Sequence, residues 1–149
     1  MSVEHEYEFV DRVTSDLSFV ARGPTLEALF AAAAKALLAV TVEDPESIAP
    51  RVRRKVFLEE PDLELLMLRF LNELVYLRDA EQLLLLPRRM RVSVNDAARL
   101  EADLLGEAID PERHRMDAEV KAATAHGLRI ARAAAEEGGK WEASVTLDV

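Results

Sequence analysis

Four kinds of reactive side chain occur within eight residues, in the stretch Glu119-Val-Lys-Ala-Ala-Thr-Ala-His126. They are a carboxylate, an ammonium, a hydroxyl and an imidazole, and a strand needs none of them in order to fold. The stretch begins as an alternating strand, in which successive side chains point to opposite faces. One face would carry Val120, Ala122 and Thr124, and the other Glu119, Lys121, Ala123 and Ala125. The charged face is therefore available to a partner.

Two helices are predicted to support this stretch. Thr25 is a suitable N-cap for the first, whose apolar residues recur at three- and four-residue spacing as far as Val40. The second runs from Asp62 to about Asp79 and is apolar over a wide face, which predicts burial on two sides. Pro61 fits its first helical position, where a missing N–H costs nothing.

The remaining apolar runs predict strands. Asn95-Asp96 and the segment around Gly138-Gly139 are typical of hairpin turns. No repeat or linker divides the chain, so we expect one domain over residues 1–149, an α+β fold with two helices packed on a largely antiparallel sheet. The predicted strands are Glu4–Val10, Leu17–Arg22, Arg51–Glu59, Leu83–Leu86, Met90–Val94, Leu100–Ile109, Val120–Ala133 and Trp141–Val149.

The composition excludes several classes of function. A net charge of -9 disfavours direct binding to nucleic acid, which requires a positive face. Without cysteine there is no disulfide, thiolate metal site or cysteine nucleophile. The first residues do not form a leader pattern, and the longest weakly polar run is too short to span a membrane. We therefore expect a cytoplasmic protein that binds neither nucleic acid nor membrane.

Four motifs in order resemble the archease family over nearly the whole chain. They are Thr25–Phe30, Asp62–Leu74, Gly106–Glu107 followed by Glu119–Thr124 and His126, and the closing Asp148-Val149. The resemblance implies the small α+β fold of that family. It also implies a protein cofactor of the tRNA-splicing RNA ligase, which joins a 3′-phosphate to a 5′-hydroxyl. Such cofactors promote guanylylation of the ligase histidine by GTP and allow the ligase to turn over repeatedly. The resemblance therefore implies that GTP binds to the ligase and contacts this protein only through it.

The resemblance also implies a metal site. In the family the ligands are an aspartate in an N-terminal loop and the penultimate aspartate, which fall on Asp16 and Asp148. Arg12 and Val13 replace an acid and a histidine of the loop motif. Two carboxylates, with water, backbone carbonyls or the Val149 carboxylate, would suit Ca²⁺, with Mg²⁺ or Mn²⁺ as alternatives. The other interpretation is that one aspartate caps a turn and the other is a solvated charge.

Other polar residues also allow two interpretations. By resemblance, Glu119, Lys121 and His126 contact the ligase or its nucleotide; alternatively Glu119 and Lys121 form an exposed cross-strand ion pair. We interpret His114 as a surface histidine, because its neighbours in sequence supply no carboxylate to orient it. Trp141 is interpreted as a packing residue.

The arrangement of reactive residues does not predict an enzyme. No serine, histidine and acid fall into a nucleophile pattern, and no glycine loop would cradle phosphate. An activator of the RNA ligase is the preferred function. The alternatives are a general chaperone or protein-interaction module without metal chemistry, and a metal-dependent hydrolase, which would need a further ligand and a base.

Overall fold

Seven antiparallel strands and two helices form the part of the chain that the computed structural model describes, residues 6–13 and 15–149, with residues 11–13 described by their backbone. The helices are α1, Leu26–Thr41, and α2, Leu63–Glu81. The strands are β1 Tyr7–Val13, β2 Asp16–Gly23, β3 Val52–Glu60, β4 Leu83–Val94, β5 Ala98–Ala108, β6 Ala122–Arg132 and β7 Trp141–Asp148. Short 3-10 turns lie at Pro45–Ser47 and Ala135–Glu137.

The strands form two sheets. Four of them pair in the order β1-β2-β7-β6, and three in the order β3-β5-β4. In the four-stranded sheet β7 lies between β2 and β6. The last strand therefore pairs with one strand from the N-terminal part of the chain and one from the C-terminal part. This topology brings Asp16 on β2 directly opposite Asp148 on β7.

The first helix begins and ends as its capping groups dictate. The Thr25 hydroxyl accepts a hydrogen bond from the Ala28 N–H at 3.0 Å, which satisfies one of the free amides of the first turn. The apolar face of α1 is buried against β2 and β4. The helix ends at Thr41, well before Asp44 and Pro45, as expected.

The second helix begins at Leu63, one residue later than the predicted start at Asp62. Asp62 is the N-cap, and its carboxylate accepts from the Leu65 N–H at 2.8 Å, so Pro61 precedes the cap and is not a helical residue. Phe70 packs against Phe30 of α1 with ring centroids 6.1 Å apart. Both rings are fully buried, each contributing roughly 2–3 kcal/mol of hydrophobic stabilisation.

The predicted break between two short strands, at residues 87–89, is absent. The sequence predicts separate strands at Leu83–Leu86 and Met90–Val94, whereas β4 is continuous and passes through Pro87 with a bulge before Arg89. Proline is tolerated there because β4 is an edge strand, which does not need every N–H for pairing. The Asn95 turn joins β4 to β5 as predicted.

Gly106 of β5 has no side chain because β4 passes too close to it for a Cβ atom. A Cβ built on Gly106 would lie 1.7 Å from the carbonyl oxygen of Leu84, so no larger residue fits without separating the strands. The next residue, Glu107, is held at the end of β5 by this tight pairing.

The predicted fold class is confirmed. Two helices pack on antiparallel sheets in one compact α+β domain, although the strands divide into two sheets where one was expected. The first strand begins at Tyr7 and continues to Val13; its predicted start at Glu4 lies outside the described residues.

Candidate functional site

The two aspartates face each other at the open end of the β2–β7 pair. The Val149 N–H donates to the Ser15 carbonyl at 2.9 Å, which makes Ser15 and Val149 a hydrogen-bonded pair. The next pair, Asp16 with Asp148, is therefore a non-hydrogen-bonded pair, the kind in which facing side chains come closest. Both aspartates are half-buried, as is Val149.

Hydroxyl groups continue this polar surface away from the aspartates. On the face that β2 turns away from the helices, Ser18 Oγ lies 3.1 Å from Thr146 Oγ1. On β6, the Thr124 hydroxyl donates to the Thr146 carbonyl at 3.3 Å. The hydroxyl groups thus form a row across β2, β7 and β6, two residues along the strands from the aspartate pair.

The reactive stretch at 119–126 meets the aspartate pair through the backbone. The Lys121 N–H donates to the Asp148 carbonyl at 2.7 Å, and Ala122 is the register partner of Asp148. Strand β6 starts only at Ala122, so the predicted strand at Glu119–Lys121 is wrong. Val120 is fully buried between two exposed charged residues, Glu119 and Lys121.

Two side chains of α2 hold this stretch in place. The Asn72 amide donates to the Ala123 carbonyl at 3.1 Å and accepts from the Ala123 N–H at 2.8 Å, so it pairs with the residue as a neighbouring strand would. Arg78, which is buried, donates to the Val120 carbonyl at 2.6 Å. Sequence reasoning missed both. The signal for Arg78 was its position seven residues after Leu71 on the apolar face, where an arginine requires a partner.

The charged pair predicted for Glu119 and Lys121 is not formed. Both side chains are exposed, and neither makes an ion pair with any residue of the described chain. The interpretation as an exposed cross-strand ion pair is therefore wrong. Lys121 instead presents a solvated ammonium next to the backbone that supports Asp148.

His126 lies in a wide bulge of β6. Thr124 pairs with Thr146 and Arg129 with Ser144, so four residues of β6 stand opposite a single residue of β7. Gly127 in the bulge has a φ of 67°, a conformation that favours glycine. The bulge leaves His126 exposed.

The interpretation of His114 as a surface histidine is wrong. Its side chain is fully buried, and its Nε2 lies 2.8 Å from Glu107 Oε1. Nδ1 accepts from the Asp110 N–H at 2.8 Å, so the proton must reside on Nε2 and be donated to Glu107. The loop after β5 folds back, so that the carboxylate seven residues earlier orients the ring.

Glu107 is the centre of this buried network. Its carboxylate also accepts from the Ala49 N–H at 2.9 Å and from Arg113 Nη2 at 2.6 Å, with Arg51 Nε at 3.3 Å. These donors, Arg113 first and the Ala49 amide next, lower the pKa of Glu107 from an ordinary 4.5 to about 2. The network fixes the first part of the loop that leads from β5 to the reactive stretch, residues 107–114.

The donor set at the aspartate pair fits a divalent ion in part. Two carboxylates facing each other repel, and a cation between them removes that repulsion. In residues 6–13 and 15–149, no cluster of three or more histidine and acidic residues could hold a metal ion. Carbonyl groups, the Val149 carboxylate, water or a partner would therefore complete the shell. The side chains of Arg12 and Val13, which depart from the family motif, lie outside the described residues.

Known structures with this architecture define the class. The solution structure of Methanobacterium thermoautotrophicum protein 1598 is similar with a TM-score of 0.81 and 31% identity, over 97% of this chain and 99% of that one. The crystal structure of an archease, possible chaperone, from Thermotoga maritima shares the fold alone, with a TM-score of 0.57 and 16% identity over 94% and 98% of the two chains. The protein therefore has the archease fold.

Sequence comparison gives the family. The Archease protein family (MTH1598/TM1083) matches residues 7–149. The archease of Thermococcus gammatolerans is 39% identical over 137 residues, 91% of this chain and 94% of that protein. That of Methanosarcina mazei is 32% identical over 146 residues, 97% and 96% of the two chains. The chain belongs to the archease family, as the sequence motifs predicted.

Neither of the helices in the described residues combines the length and the apolar character needed to cross a bilayer.

Proposed function

We propose that this chain is a protein cofactor of the tRNA-splicing RNA ligase, promoting GTP-dependent guanylylation of the ligase histidine and repeated turnover. The observation that carries the proposal is the close facing pair of Asp16 and Asp148 at the exposed end of a sheet. The choice of the ligase as partner follows the resemblance of the sequence motifs to the archease family. The site would act by entering the nucleotide pocket of the ligase.

Each part of the site has a role in this proposal. Asp16 and Asp148, with Val149, hold a divalent ion, Ca²⁺ first and Mg²⁺ or Mn²⁺ as alternatives. When bound, such an ion supplies positive charge that stabilises the phosphates of GTP. Glu119, Lys121 and His126 are exposed on the adjoining segment and contact the ligase. Asn72 and Arg78 keep that segment in register with Asp148.

The test combines metal binding with ligase activation. We expect calorimetry to give one Ca²⁺, Mg²⁺ or Mn²⁺ site in the native protein, lost in Asp16→Ala and Asp148→Ala. Asp96→Ala is the matched control, because that carboxylate is exposed in the hairpin of the other sheet. In a GTP assay with the ligase, only the control should retain activation. Full activation by Asp148→Ala would refute the mechanism.

The alternative is a general chaperone or protein-interaction module without metal chemistry. The Thermotoga maritima archease is described as a possible chaperone, which is the specific reason to test it. Against it, the most exposed large apolar residues, such as Phe57 and Tyr76, lie on separate elements and are not adjacent in sequence. Suppression of aggregation of an unrelated protein in a chelator would favour the chaperone.

A further inference from the structure

Positive charge is concentrated on one face of the three-stranded sheet, although the chain has a net charge of -9. This face, called here the outer face of β3–β5–β4, is the side turned away from the helices. Alternation in β3, β5 and β4 buries Val56, Leu100 and Val92 and turns their neighbours outward. Five cations face three carboxylates there: Arg53, Lys55, Arg89, Arg91 and Arg99 against Glu59, Glu101 and Asp103.

Three of these cations make no ion pair within the described residues. Arg53 is bound to Asp103 at 3.1 Å, and Arg99 to Glu59. Lys55, Arg89 and Arg91 are exposed and form no ion pair with the residues that the structure describes. They line a shallow cleft of about 240 Å³ together with Glu101 and Asp103. Their charges are free to bind an anion.

The strand register places the free cations on both edge strands of this face. Lys55 on β3 and Arg89 on β4 both pair with the same residue of β5, and Arg91 is two residues further along β4. Neighbouring strands lie about 4.8 Å apart, so the two edge strands place their cations roughly 10 Å apart. A linear polyanion can cross or follow this face and meet more than one of them.

An exposed aromatic ring lies among these charges. Phe57 is 67% exposed, the largest value among the exposed large hydrophobic residues of the described chain, and it stands in the row that contains Glu101 and Arg91. Aromatic rings on a sheet face flanked by cations bind single-stranded nucleic acid by stacking bases and neutralising phosphates. A protein interface would place more apolar groups around such a ring. The surface chemistry therefore favours nucleic acid.

We propose that the outer face of β3–β5–β4 binds single-stranded RNA. A base stacks on Phe57, and phosphates contact Lys55, Arg89 and Arg91. Glu101, directly opposite Phe57, accepts a hydrogen bond from an amino group of the stacked base, as acidic side chains do with cytosine. The choice of RNA over DNA rests on the proposed function. The expectation of no nucleic-acid binding used the net charge, which averages over this local face.

The test is titration of a fluorescein-labelled RNA of about 12 nucleotides, followed by fluorescence anisotropy. Three phosphate contacts predict a slope of about -2 in a plot of log affinity against log salt. Arg91→Ala should reduce the slope by about 0.7. Phe57→Ala should weaken binding about tenfold at every salt concentration, because stacking is not ionic.

Two exposed residues away from this face serve as matched controls. Tyr76→Ala removes an aromatic ring from α2, and Arg129→Ala removes a cation from β6. Both variants should bind the RNA as the native protein does. The proposal is overturned by absence of native binding at low salt, or by equal loss in Phe57→Ala and Tyr76→Ala. It is also overturned if polyglutamate competes as well as RNA, which would indicate an acidic protein partner.

A second measurement separates this proposal from the proposed function. Guanylylation of the ligase can be followed with GTP and without RNA. If Phe57→Ala and Arg91→Ala lose RNA binding but still stimulate guanylylation, the outer face acts as a distinct RNA surface. If the native protein binds RNA and fails to stimulate guanylylation, the proposed ligase function fails and the RNA surface stands.

Discussion

The role of a polar residue in this protein depends on the partners that the fold brings to it. Glu107 and His114 are seven residues apart, and only the return of the loop makes them a buried pair. Four donors surround the Glu107 carboxylate, so it is held as an anion in a place where an unpaired charge would be costly. The pair therefore serves to anchor the loop before the reactive stretch.

The Glu107 network should make stability depend on acid pH. The folded-state pKa of Glu107 is lowered from 4.5 to about 2, so its contribution is complete above pH 4.5 and is lost as the pH falls toward 2. In thermal unfolding, the deficit of Glu107→Gln relative to the native protein should be largest near neutral pH and shrink over that window. Glu112→Gln, at an exposed position of the same loop, is the control. A deficit that does not change with pH would contradict this account.

Replacing the buried imidazole should be costly. His114→Phe keeps a ring of similar size but leaves the Asp110 N–H without its acceptor and removes one donor from Glu107. We expect urea denaturation to show a loss of about 3 kcal/mol. His126→Phe, in the exposed bulge, should change stability by less than about 0.5 kcal/mol. Similar losses in the two variants would mean that the hydrogen bonds of His114 contribute little.

At the level of elements, two side chains of α2, Asn72 and Arg78, hold the start of β6 in place; we call this pair the α2 clamp. Asn72 pairs with both backbone groups of Ala123, and Arg78 binds the Val120 carbonyl. Ala123 precedes the bulge and lies on an edge strand, so Asn72 satisfies backbone groups that no further strand pairs. Because the Lys121 N–H bonds to Asp148, the clamp also sets the position of the chain end.

Loss of the clamp should loosen β6 locally. Asn72→Leu removes two hydrogen bonds and leaves the Ala123 N–H and carbonyl without partners, at a cost of about 1–3 kcal/mol. Hydrogen exchange should accelerate at Ala123 and its neighbours more than in β3 or β5. Tyr76→Leu, on the exposed side of the same helix, is the control. Uniform acceleration across both sheets would point to a global loss of stability.

Local patterns predict local structure here, and the failures concern contacts between distant residues. The cap at Thr25 and the turn at Asn95 depend on neighbouring residues, and the structure contains both. The continuous β4 and the burial of His114 depend on pairing that no short pattern encodes. The facing aspartates were expected only if the terminal strand paired near the first ones.

The four-stranded sheet is closed by the pairing of its second and last strands, β2 and β7. A divalent ion bound between Asp16 and Asp148 would therefore link β2 and β7 and stabilise the folded state by mass action. Such stabilisation depends on binding to the folded chain alone, since the unfolded chain separates the two carboxylates. The proposed metal site thus has a readout that does not require the ligase.

Calcium should raise the melting temperature of the native protein. At a hundred times the dissociation constant the gain is about 2.7 kcal/mol, or roughly 5–10 °C for a domain of this size. Asp16→Asn should melt at the same temperature in calcium and in chelator. Asp96→Ala should respond as the native protein does. An equal rise in Asp16→Asn would place calcium binding elsewhere.

The central place of β7 has a consequence for biosynthesis. Residues 141–148 supply the strand between β2 and β6, so that sheet cannot close until the ribosome has synthesised β7, which follows both helices and the other six strands. Until then β2 and β6 expose unpaired edges, which are sites of misassociation. Completion of the fold and assembly of the Asp16–Asp148 pair are therefore the same late event, and a chain stalled before residue 141 has neither.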